Sequence, residues 1–423
     1  MKNVLVFPCG TEIGLEINKA LKNSKFFKVF GASSEKINHG NYVFDDYIGE
    51  LPYVTDDNFM GSLNELIIKY KIDYIYPAHD TVLLELSRIR DEIKCIVVAS
   101  EYMTCKICRD KMETYKIFKD KIEVPKIYNL RDKIDIYPVF LKPNIGQGSQ
   151  DTYLVHNKDE LDFYVNRNSK LMILEYLPGK EYTVDCFTDR NGELKYIYPR
   201  ERRRVRNGIS VNTYPVESIE FNNIAEKINK NLKIRGAWFF QVKRDRNNKL
   251  VLLEIEPRIA GAMGINRSIG VNLPLITLFD FENIDIEIMK NNFNICLDRA
   301  LENKYKIDLE YDELFVDLDD TIIMRQTINT NLIKFLFQCI NEKKRITLIT
   351  RHLKSDLEDH LKKYRIYEIF DEIIVINDGS KKHKHIKNLK SIFIDDSYIE
   401  RKDVKDNIGI PVFDIDSIEC LIK

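Results

Sequence analysis

The 423-residue sequence lacks an apolar run long enough to span a lipid bilayer. It also lacks a signal-peptide pattern at its start, because Met1 leads directly into the strand-like run VLVFP. The formal net charge of −1 gives no general attraction for nucleic acid or for an anionic membrane surface. We therefore expect a cytoplasmic protein with no membrane partner, and nucleic acid is not the expected ligand.

Clustered cysteine is absent too. The eight cysteines are scattered, and Cys105 and Cys108 form the only C-x-x-C pair. A zinc or redox site would need a second pair or histidines close by, so ordinary reduced thiols are predicted. The composition, 44% hydrophobic and 31% charged, indicates a folded protein, and the length indicates about two to four domains.

Strand and helix patterns alternate in the N-terminal part of the chain, which predicts a parallel α/β layer. The predicted strands cover residues 2–7, 28–32, 74–77 and 96–99, and helical patterns between them include residues 64–70 and 81–89. Four residues lie at predicted carboxyl ends of strands, where clefts form in such folds: Gly10, Thr11, His79 and Asp80. For His79, a structural hydrogen bond is preferred over a ligand role.

The stretch VLLEIEPRIAGAMGIN, residues 251–266, carries the main chemical signal. Its predicted strand places Glu254, Glu256 and Arg258 two residues apart and therefore on one face. Two carboxylates on one face favour a bound cation such as Mg²⁺ on nucleotide phosphates, and Arg258 can then meet developing negative charge. A solvated strand face with a salt bridge is the alternative.

A second signal lies at Lys142, which ends the predicted strand 137–142 and precedes the glycine-rich segment PNIGQGSQD. The lysine ammonium can meet phosphate groups while backbone N–H groups of the loop cover them. These N–H groups belong to Gly146, Gln147, Gly148 and Ser149.

These motifs, and their order along the chain, resemble those of the ATP-grasp superfamily. The carbamoyl phosphate synthase branch of that superfamily is the nearest likeness. The resemblance implies ATP and Mg²⁺ as cofactors. It also implies a Rossmann-like pre-ATP-grasp domain at residues 1–105 and an α+β ATP-grasp domain at residues 106–298. Gln241, Glu254 and Glu256 would hold the metal, although Glu256 stands where the family most often has asparagine, and Arg258 would be catalytic.

The same resemblance implies nucleotide contacts elsewhere. Lys111, in a helix predicted for residues 106–118, would meet the phosphates. Glu175 and the backbone of Leu177, in LMILEYLPGKEYTVD, would read the adenine edge, and Glu181 would approach the ribose or a metal-linked site.

An arginine-rich segment, PRERRRVRNGIS, follows. Strand alternation would put Arg200, Arg202, Arg204 and Arg206 on one face and Arg203 on the other. By resemblance, Arg200 and Arg203 are assigned to the triphosphate or acyl phosphate. A solvated face is the alternative, and no interleaved aromatic residues indicate a nucleic-acid patch.

After residue 298 the pattern restarts with four short motifs in order. LFVDLDDT ends a strand in D-x-D-D-T, RITLIT ends at Thr350, KKHKHIK is a basic cluster, and SIFIDD ends at Asp395 and Asp396. They resemble the haloacid dehalogenase superfamily, which implies a Rossmannoid phosphatase domain at residues 299–423. Because the intervals between Asp317, Thr350 and Lys382 are short, we expect a core without a cap.

The resemblance assigns a role to each of these motifs. Asp317 would be the nucleophile, Asp319 the general acid and base, and Thr350 a hydrogen-bond donor to phosphate. Lys382 would neutralise the phosphoryl oxygens, with Lys381 or Lys384 as substitutes. The Mg²⁺ ligands would come from Asp317, Asp319, Asp395 and Asp396.

The sequence thus favours an α/β bifunctional enzyme. An ATP-dependent carboxylate–amine ligase acting through an acyl phosphate would be fused to a Mg²⁺-dependent phosphatase acting on a phosphorylated metabolite of the same pathway. Carboxylate and amine substrates are small molecules, and a homo-oligomer is compatible with the sequence. Three alternatives stay open: a small-molecule kinase or carbamoyl-phosphate-type enzyme, a protein with one inactive regulatory domain, and an enzyme processing polynucleotide ends.

Overall fold

The computed structural model describes residues 1–129, 134–146, 148–352 and 354–423. The chain has a mixed α/β fold and forms two compact units, Met1–Leu301 and Glu302–Lys423. Across the described residues, no helix is both long and apolar enough to cross a membrane.

The N-terminal unit begins with a parallel sheet of five strands. These strands are β1 (Lys2–Phe7), β2 (Phe27–Ser33), β3 (Asp46–Glu50), β4 (Tyr74–Pro77) and β5 (Ile96–Val97), in the order β3-β2-β1-β4-β5. The helices along this segment are α1 (Glu12–Leu21), α2 (Gly40–Val43), α3 (Phe59–Tyr70) and α4 (Asp80–Arg88). Central strand β1 is apolar because both of its faces are covered, and Val4, Leu5 and Val6 are fully buried.

Two helices then follow where one was predicted for residues 106–118. They are α5 (Tyr102–Arg109) and α6 (Lys111–Phe118). The break falls at Asp110, whose extended backbone ends α5 and whose side chain accepts a hydrogen bond from the N–H of Glu113. Aspartate favours such a capping position over a helix interior, so the prediction of one continuous helix was wrong.

A small antiparallel sheet comes next. Its strands are β6 (Ile127–Tyr128), β7 (Val139–Pro143), β8 (Tyr153–Val155) and β9 (Leu171–Glu175), in the order β6-β9-β7-β8, with helix α7 (Lys158–Arg167) before β9. Leu141 and Ile173 are buried in its core. Lys142 lies near the end of β7, which is one of the two central strands of this sheet.

The largest sheet has six antiparallel strands. They are β10 (Glu181–Thr188), β11 (Leu194–Arg206), β12 (Ile209–Pro215), β13 (Gly236–Arg244), β14 (Leu250–Glu256) and β15 (Leu297–Asp298), in the order β14-β13-β10-β11-β12-β15. Helices α8 (Ile219–Asn231), α9 (Gly264–Ser268) and α10 (Leu273–Phe281) belong to the same unit. One face of this sheet packs into a core that contains Trp238, Phe240 and Val184. The opposite face carries the polar residues considered below.

The C-terminal unit has its own parallel sheet and core. The strands are β16 (Glu313–Val316), β19 (Arg345–Thr350), β20 (Glu372–Val375), β21 (Ser391–Ile394) and β22 (Val412–Phe413), in the order β20-β19-β16-β21-β22. A hairpin, β17 (Ile323–Met324) with β18 (Thr327–Ile328), and helices α11 (Thr330–Asn341), α12 (Lys354–Lys363) and α13 (Tyr398–Ile408) complete it. Among the described residues, only the hairpin and α11 separate β16 from β19.

Candidate functional site

A cavity of about 240 Å³ is lined by residues of both antiparallel sheets in the N-terminal unit. Most residues predicted to contact nucleotide or metal line it: Lys111, Lys142, Gly146, Gly148, Ser149, Glu175, Leu177, Glu181, Gln241 and Glu254. The predicted Gln147 lies outside the described residues. The fold therefore brings together side chains that are far apart in the sequence.

Two buried lysines supply positive charge to this cavity. Lys111 Nζ lies 3.4 Å from the Gly146 carbonyl and 3.8 Å from a Glu254 carboxylate oxygen. Lys142 Nζ donates to the Tyr115 hydroxyl at 2.8 Å and to the Leu253 carbonyl at 3.3 Å. Burial lowers the pKa of Lys142 to about 8, although the charges of Glu254 and Glu181 oppose this shift. An anion beside Lys142 would relieve that cost.

The glycine-rich loop forms one edge of the cavity. Gly148 and Ser149 adopt left-handed backbone conformations, with φ of 58° and 54°. The turn between β11 and β12 approaches the loop so closely that a Cβ on Gly208 would lie 2.5 Å from the Gly148 carbonyl carbon. Only glycine fits there, and Arg202 Nη2 fixes the turn by donating to the Gly208 carbonyl at 2.6 Å.

Strands β13 and β14 carry the predicted metal ligands. Gln241 pairs with Glu254 in the sheet register, and both line the cavity. Glu256 is buried, does not line the cavity, and has an oxygen 4.0 Å from Arg258 Nε. Burial and then the charge of Asp80 raise the pKa of Glu256 well above its usual range. Burying carboxylate oxygens close together is electrostatically costly, and a hard divalent cation such as Mg²⁺, which prefers oxygen ligands, would offset that cost.

Arg258 itself forms a buried ion pair with Asp80. Its Nε donates to Asp80 Oδ1, and its guanidinium lies over the Phe239 ring at 5.2 Å. Arg109 Nη1 lies 3.8 Å from the other oxygen of Asp80. Burial opposes the charge on Asp80, but Arg258 and Arg109 outweigh it and lower its pKa. Neighbouring His79 caps helix α4 by accepting from the Thr81 N–H at 3.2 Å, the structural role preferred for it.

In the C-terminal unit, three strands end at a cluster of charged side chains. Asp317 follows β16, Asp395 follows β21, and Thr350 ends β19. Ligand oxygens of Asp317, Asp395 and Asp396 all lie within 4.8 Å of one another. Carboxyl ends of neighbouring parallel strands meet at one sheet edge, which explains how distant motifs converge.

A single lysine joins two of these carboxylates. Lys382 Nζ lies 2.6 Å from both Asp317 and Asp395, and the lysine is buried in a short 3₁₀ helix, Lys382–His385. Burial raises the pKa of Asp317 to about 7 and also raises that of Asp395. Burial opposes the charge on Lys382, but the two carboxylates raise its pKa. The structure thus distinguishes Lys382 from Lys381 and Lys384.

Asp319 occupies a different environment from the cluster. Its side chain is 52% exposed, and its two oxygens lie 3.2 and 3.0 Å from His352 Nδ1. It is therefore not part of the carboxylate cluster, and its assignment as a side-chain metal ligand is corrected. Asp320, with a φ of 57°, begins a turn directly after Asp319.

Sequence comparisons match part of the chain. Residues 167–295 match the model of a family described as ATP-grasp in the biosynthetic pathway with Ter operon. The chain is 28% identical over 140 residues to the carbamoyl phosphate synthase large chain of Clostridium botulinum (strain Loch Maree / Type A3). That match covers 29% of this chain and only 13% of the relative.

Solved structures resemble a larger part. The biotin carboxylase domain of Hydrogenobacter thermophilus 2-oxoglutarate carboxylase, in complex with MgADP, ADP and bicarbonate, gives a TM-score of 0.58 at 15% identity, covering 68% of this chain and 71% of that one. N5-carboxyaminoimidazole synthetase from Staphylococcus aureus with ADP gives 0.56 at 17%, covering 68% and 78%. An L-amino acid ligase from Bacillus licheniformis gives 0.53 at 15%, covering 66% and 73%.

The chain contains an ATP-grasp fold. The first of these structures matches 68% of the chain, which is much more than the C-terminal unit contains, so the likeness falls mainly on Met1–Leu301. We call Met1–Leu301 the ATP-grasp unit. The segment that matches the family model, residues 167–295, lies entirely within this unit.

Two predicted contacts of the ATP-grasp unit need correction. Arg200 is buried away from the cavity and makes two hydrogen bonds to Asp185, at 2.8 and 3.2 Å. Arg203 is exposed and lies over the Tyr214 ring at 4.2 Å. Neither residue is among those that line the cavity.

The arginine that lines the cavity is Arg202, which was not chosen from the sequence. Its Nε lies 3.0 Å from Glu181, and burial lowers its pKa. Strand alternation places Arg202 on the same face as Arg200, so the sequence pattern was sufficient to identify Arg202 as a candidate. Arg200, Arg202 and Arg204 each pair with a carboxylate of the same unit.

Proposed function

We propose that the ATP-grasp unit is an ATP-dependent carboxylate–amine ligase that forms an acyl phosphate. The cavity is the observation that carries this proposal, since it combines two buried lysines, a glycine-rich loop and paired Gln241 and Glu254. Similarity to an L-amino acid ligase and to ADP-bound synthetase and carboxylase structures supports it. Residues 1–105 would form the pre-ATP-grasp domain and residues 106–298 the ATP-grasp domain.

The nucleotide would lie between the two antiparallel sheets. Glu175 and the backbone of Leu177 would contact the adenine, and Glu181 would approach the ribose. Lys111, Lys142 and the N–H groups of the loop would hold the phosphates. Gln241, Glu254 and Glu256 would hold Mg²⁺, which when bound neutralises charge on the phosphate oxygens.

In the first step, a carboxylate oxygen of the acceptor attacks the γ-phosphorus, and the bond from that phosphorus to the ADP oxygen breaks. The amine nitrogen then attacks the acyl carbon, inorganic phosphate leaves, and the nitrogen loses a proton. Arg258 would stabilise negative charge that develops on the transferred group. Lys142 would keep its ammonium against the phosphates while the cavity excludes water.

Nucleotide binding should be coupled to proton uptake by Lys142. Since burial lowers its pKa to about 8, a large share of the side chain is neutral above that pH, and a neighbouring triphosphate favours the ammonium form. Titration calorimetry in buffers of different ionisation enthalpy should show proton uptake at about pH 9 that fades at about pH 6.5. Lys142→Met should lose this uptake, and an unchanged uptake in that variant would assign it to another group.

ADP release across pairs of carboxylates and amines tests the ligase proposal. We expect ADP formation that needs a carboxylate and an amide product that needs both. ADP formed with a carboxylate but with no dependence on amine would favour the kinase or carbamoyl-phosphate-type alternative. A purified chain that binds no ATP would contradict both.

For the C-terminal unit, we propose a Mg²⁺-dependent phosphatase of the haloacid dehalogenase type. The observation that supports it is the cluster of Asp317, Asp395 and Asp396 with Lys382 between two of its members. Three oxygen donors at one sheet edge fit Mg²⁺, which when bound would offset their mutual repulsion and draw charge from a phosphate. Hydrolysis of an aryl phosphate by the purified chain, abolished by EDTA, tests this activity.

The phosphatase roles are those that the resemblance to the haloacid dehalogenase superfamily implies. Asp317 would attack phosphorus, the bond to the leaving oxygen would break, and Asp319 would protonate that oxygen and later activate water. Exposure of Asp319 suits a group that exchanges protons with solvent and substrate. Thr350 and Lys382 would hold the phosphoryl oxygens, and the substrate would be a phosphorylated metabolite of the same pathway.

A further inference from the structure

Asp80 places a protein carboxylate between two arginines of the ATP-grasp unit. Arg258 Nε donates to one oxygen, and Arg109 Nη1 lies 3.8 Å from the other. The side chain of Asp80 is 6% exposed and those of both arginines are 12% exposed. A carboxylate held by two guanidinium groups out of water is the arrangement that would also recognise a carboxylate ligand.

The three residues come from different parts of the unit. Asp80 follows strand β4 of the parallel sheet, Arg258 follows β14 of the six-stranded sheet, and Arg109 ends α5. Arg109 Nη1 also donates to the Gly146 carbonyl at 2.9 Å. Asp80 therefore connects the parallel sheet to Arg258, which is proposed to stabilise the transferred phosphoryl group. Through Arg109 it also connects the parallel sheet to the glycine-rich loop.

Arg258 already has a charged carboxylate partner. Its Nε donates to Asp80, and the buried Glu256 side chain lies 4.0 Å from it. An external carboxylate entering beside Asp80 would meet strong repulsion in a site with little water. Asp80 holds the Nε of Arg258, and Arg258 Nη1 donates to the Ile259 carbonyl at 3.0 Å, so an acceptor carboxylate can bind the Nε of Arg258 only if Asp80 withdraws from it.

We propose that Asp80 is an internal stand-in for the acceptor carboxylate, which the acceptor displaces before phosphoryl transfer. This inference rests on the proposed ligase function. In ATP hydrolysis, water attacks the γ-phosphorus, the bond to ADP breaks, and phosphate and a proton are released. While Asp80 holds Arg258, the arginine cannot stabilise this attack. The contact selects for anionic acceptors and limits ATP hydrolysis in their absence.

The test is ATP hydrolysis without acceptor by the full chain and by Asp80→Asn, at saturating ATP with Mg²⁺. The amide keeps the shape of the side chain but removes its charge, so Arg258 is released. We expect the acceptor-independent rate to rise about tenfold, which corresponds to about 1.4 kcal/mol of lost restraint. If Asp80 only positions Arg258, the rate will stay the same or fall, and the inference is overturned.

Two further variants separate this effect from a general disturbance. Asp80→Glu keeps a carboxylate and should keep the low wild-type rate. Asp46→Asn removes a carboxylate from a surface pair with Lys28, 2.9 Å long, and should change nothing. A rate increase in Asp46→Asn equal to that in Asp80→Asn would overturn the inference.

A readout without turnover completes the test. Asp80→Ala leaves room between the arginines, so the rise in unfolding temperature in sodium acetate over that in sodium chloride, at equal ionic strength, should be larger for Asp80→Ala than for wild type, which reports the general effect of the salts. The same difference between the two salts in both proteins would count against the anion site. Wild type that fails to bind ATP would contradict the ligase proposal, whereas ATP binding with no change in Asp80→Asn would contradict only the stand-in.

Discussion

Lys142→Met should lower ATP turnover by at least about 100-fold, the scale seen when one preorganised charge-stabilising donor is removed from an active site. The buried ammonium lines the same cavity as the glycine-rich loop and donates to the Tyr115 hydroxyl and the Leu253 carbonyl. Methionine keeps the apolar stem and removes the charge that would meet the phosphates. Because that charge is costly to bury, the variant should stay folded by circular dichroism and thermal unfolding.

Glu254→Gln should give a comparable loss, since it removes a proposed metal ligand without changing shape. Lys180→Met is the matched control: Lys180 belongs to the same unit, is 66% exposed, and pairs with Glu201 outside the cavity. The assay is ADP release at saturating ATP with a responsive carboxylate. Wild-type turnover by Lys142→Met or Glu254→Gln would remove the cavity from the mechanism.

Sequence motifs predicted local features well where one strand or turn carries the whole signal. Strand β4 and strand β19 have the predicted bounds, and Lys142 in β7 and Glu254 in β14 line one cavity. Such patterns depend on side-chain alternation and on turn chemistry, which are properties of adjacent residues. The likeness to solved structures confirms the ATP-grasp fold, while the roles of individual residues in the cavity stay predictions.

Contacts between distant segments could not be predicted in this way. The pairing of Arg200 with Asp185 depends on the register of β10 and β11, and a bulge after Arg202 changes the register of β11 with β12. Asp80 and Arg258 meet because two sheets adjoin, which no local pattern encodes. His352 carried no signal either, since its contact with Asp319 joins the ends of two parallel strands.

In the C-terminal unit, Asp317→Asn should abolish phosphate hydrolysis, whereas Asp319→Asn should slow it. The two aspartates are close in sequence but differ in environment: Asp317 is buried against Lys382, and Asp319 is half exposed beside His352. An amide at position 317 cannot attack phosphorus, so no phosphoaspartate forms. An amide at position 319 cannot activate water, so the phosphoenzyme should accumulate and be visible by intact-protein mass spectrometry.

Asp320→Asn is the control for these variants, because Asp320 is exposed and its left-handed backbone, with φ of 57°, tolerates asparagine. It should hydrolyse an aryl phosphate at the wild-type rate. Beryllium fluoride with Mg²⁺, which mimics a phosphoryl group on an aspartate, should inhibit wild type and raise its unfolding temperature but should leave the unfolding temperature of Asp317→Asn unchanged. Hydrolysis that survives Asp317→Asn unchanged would exclude Asp317 as the nucleophile and leave the carboxylate cluster as a structural feature of the sheet edge.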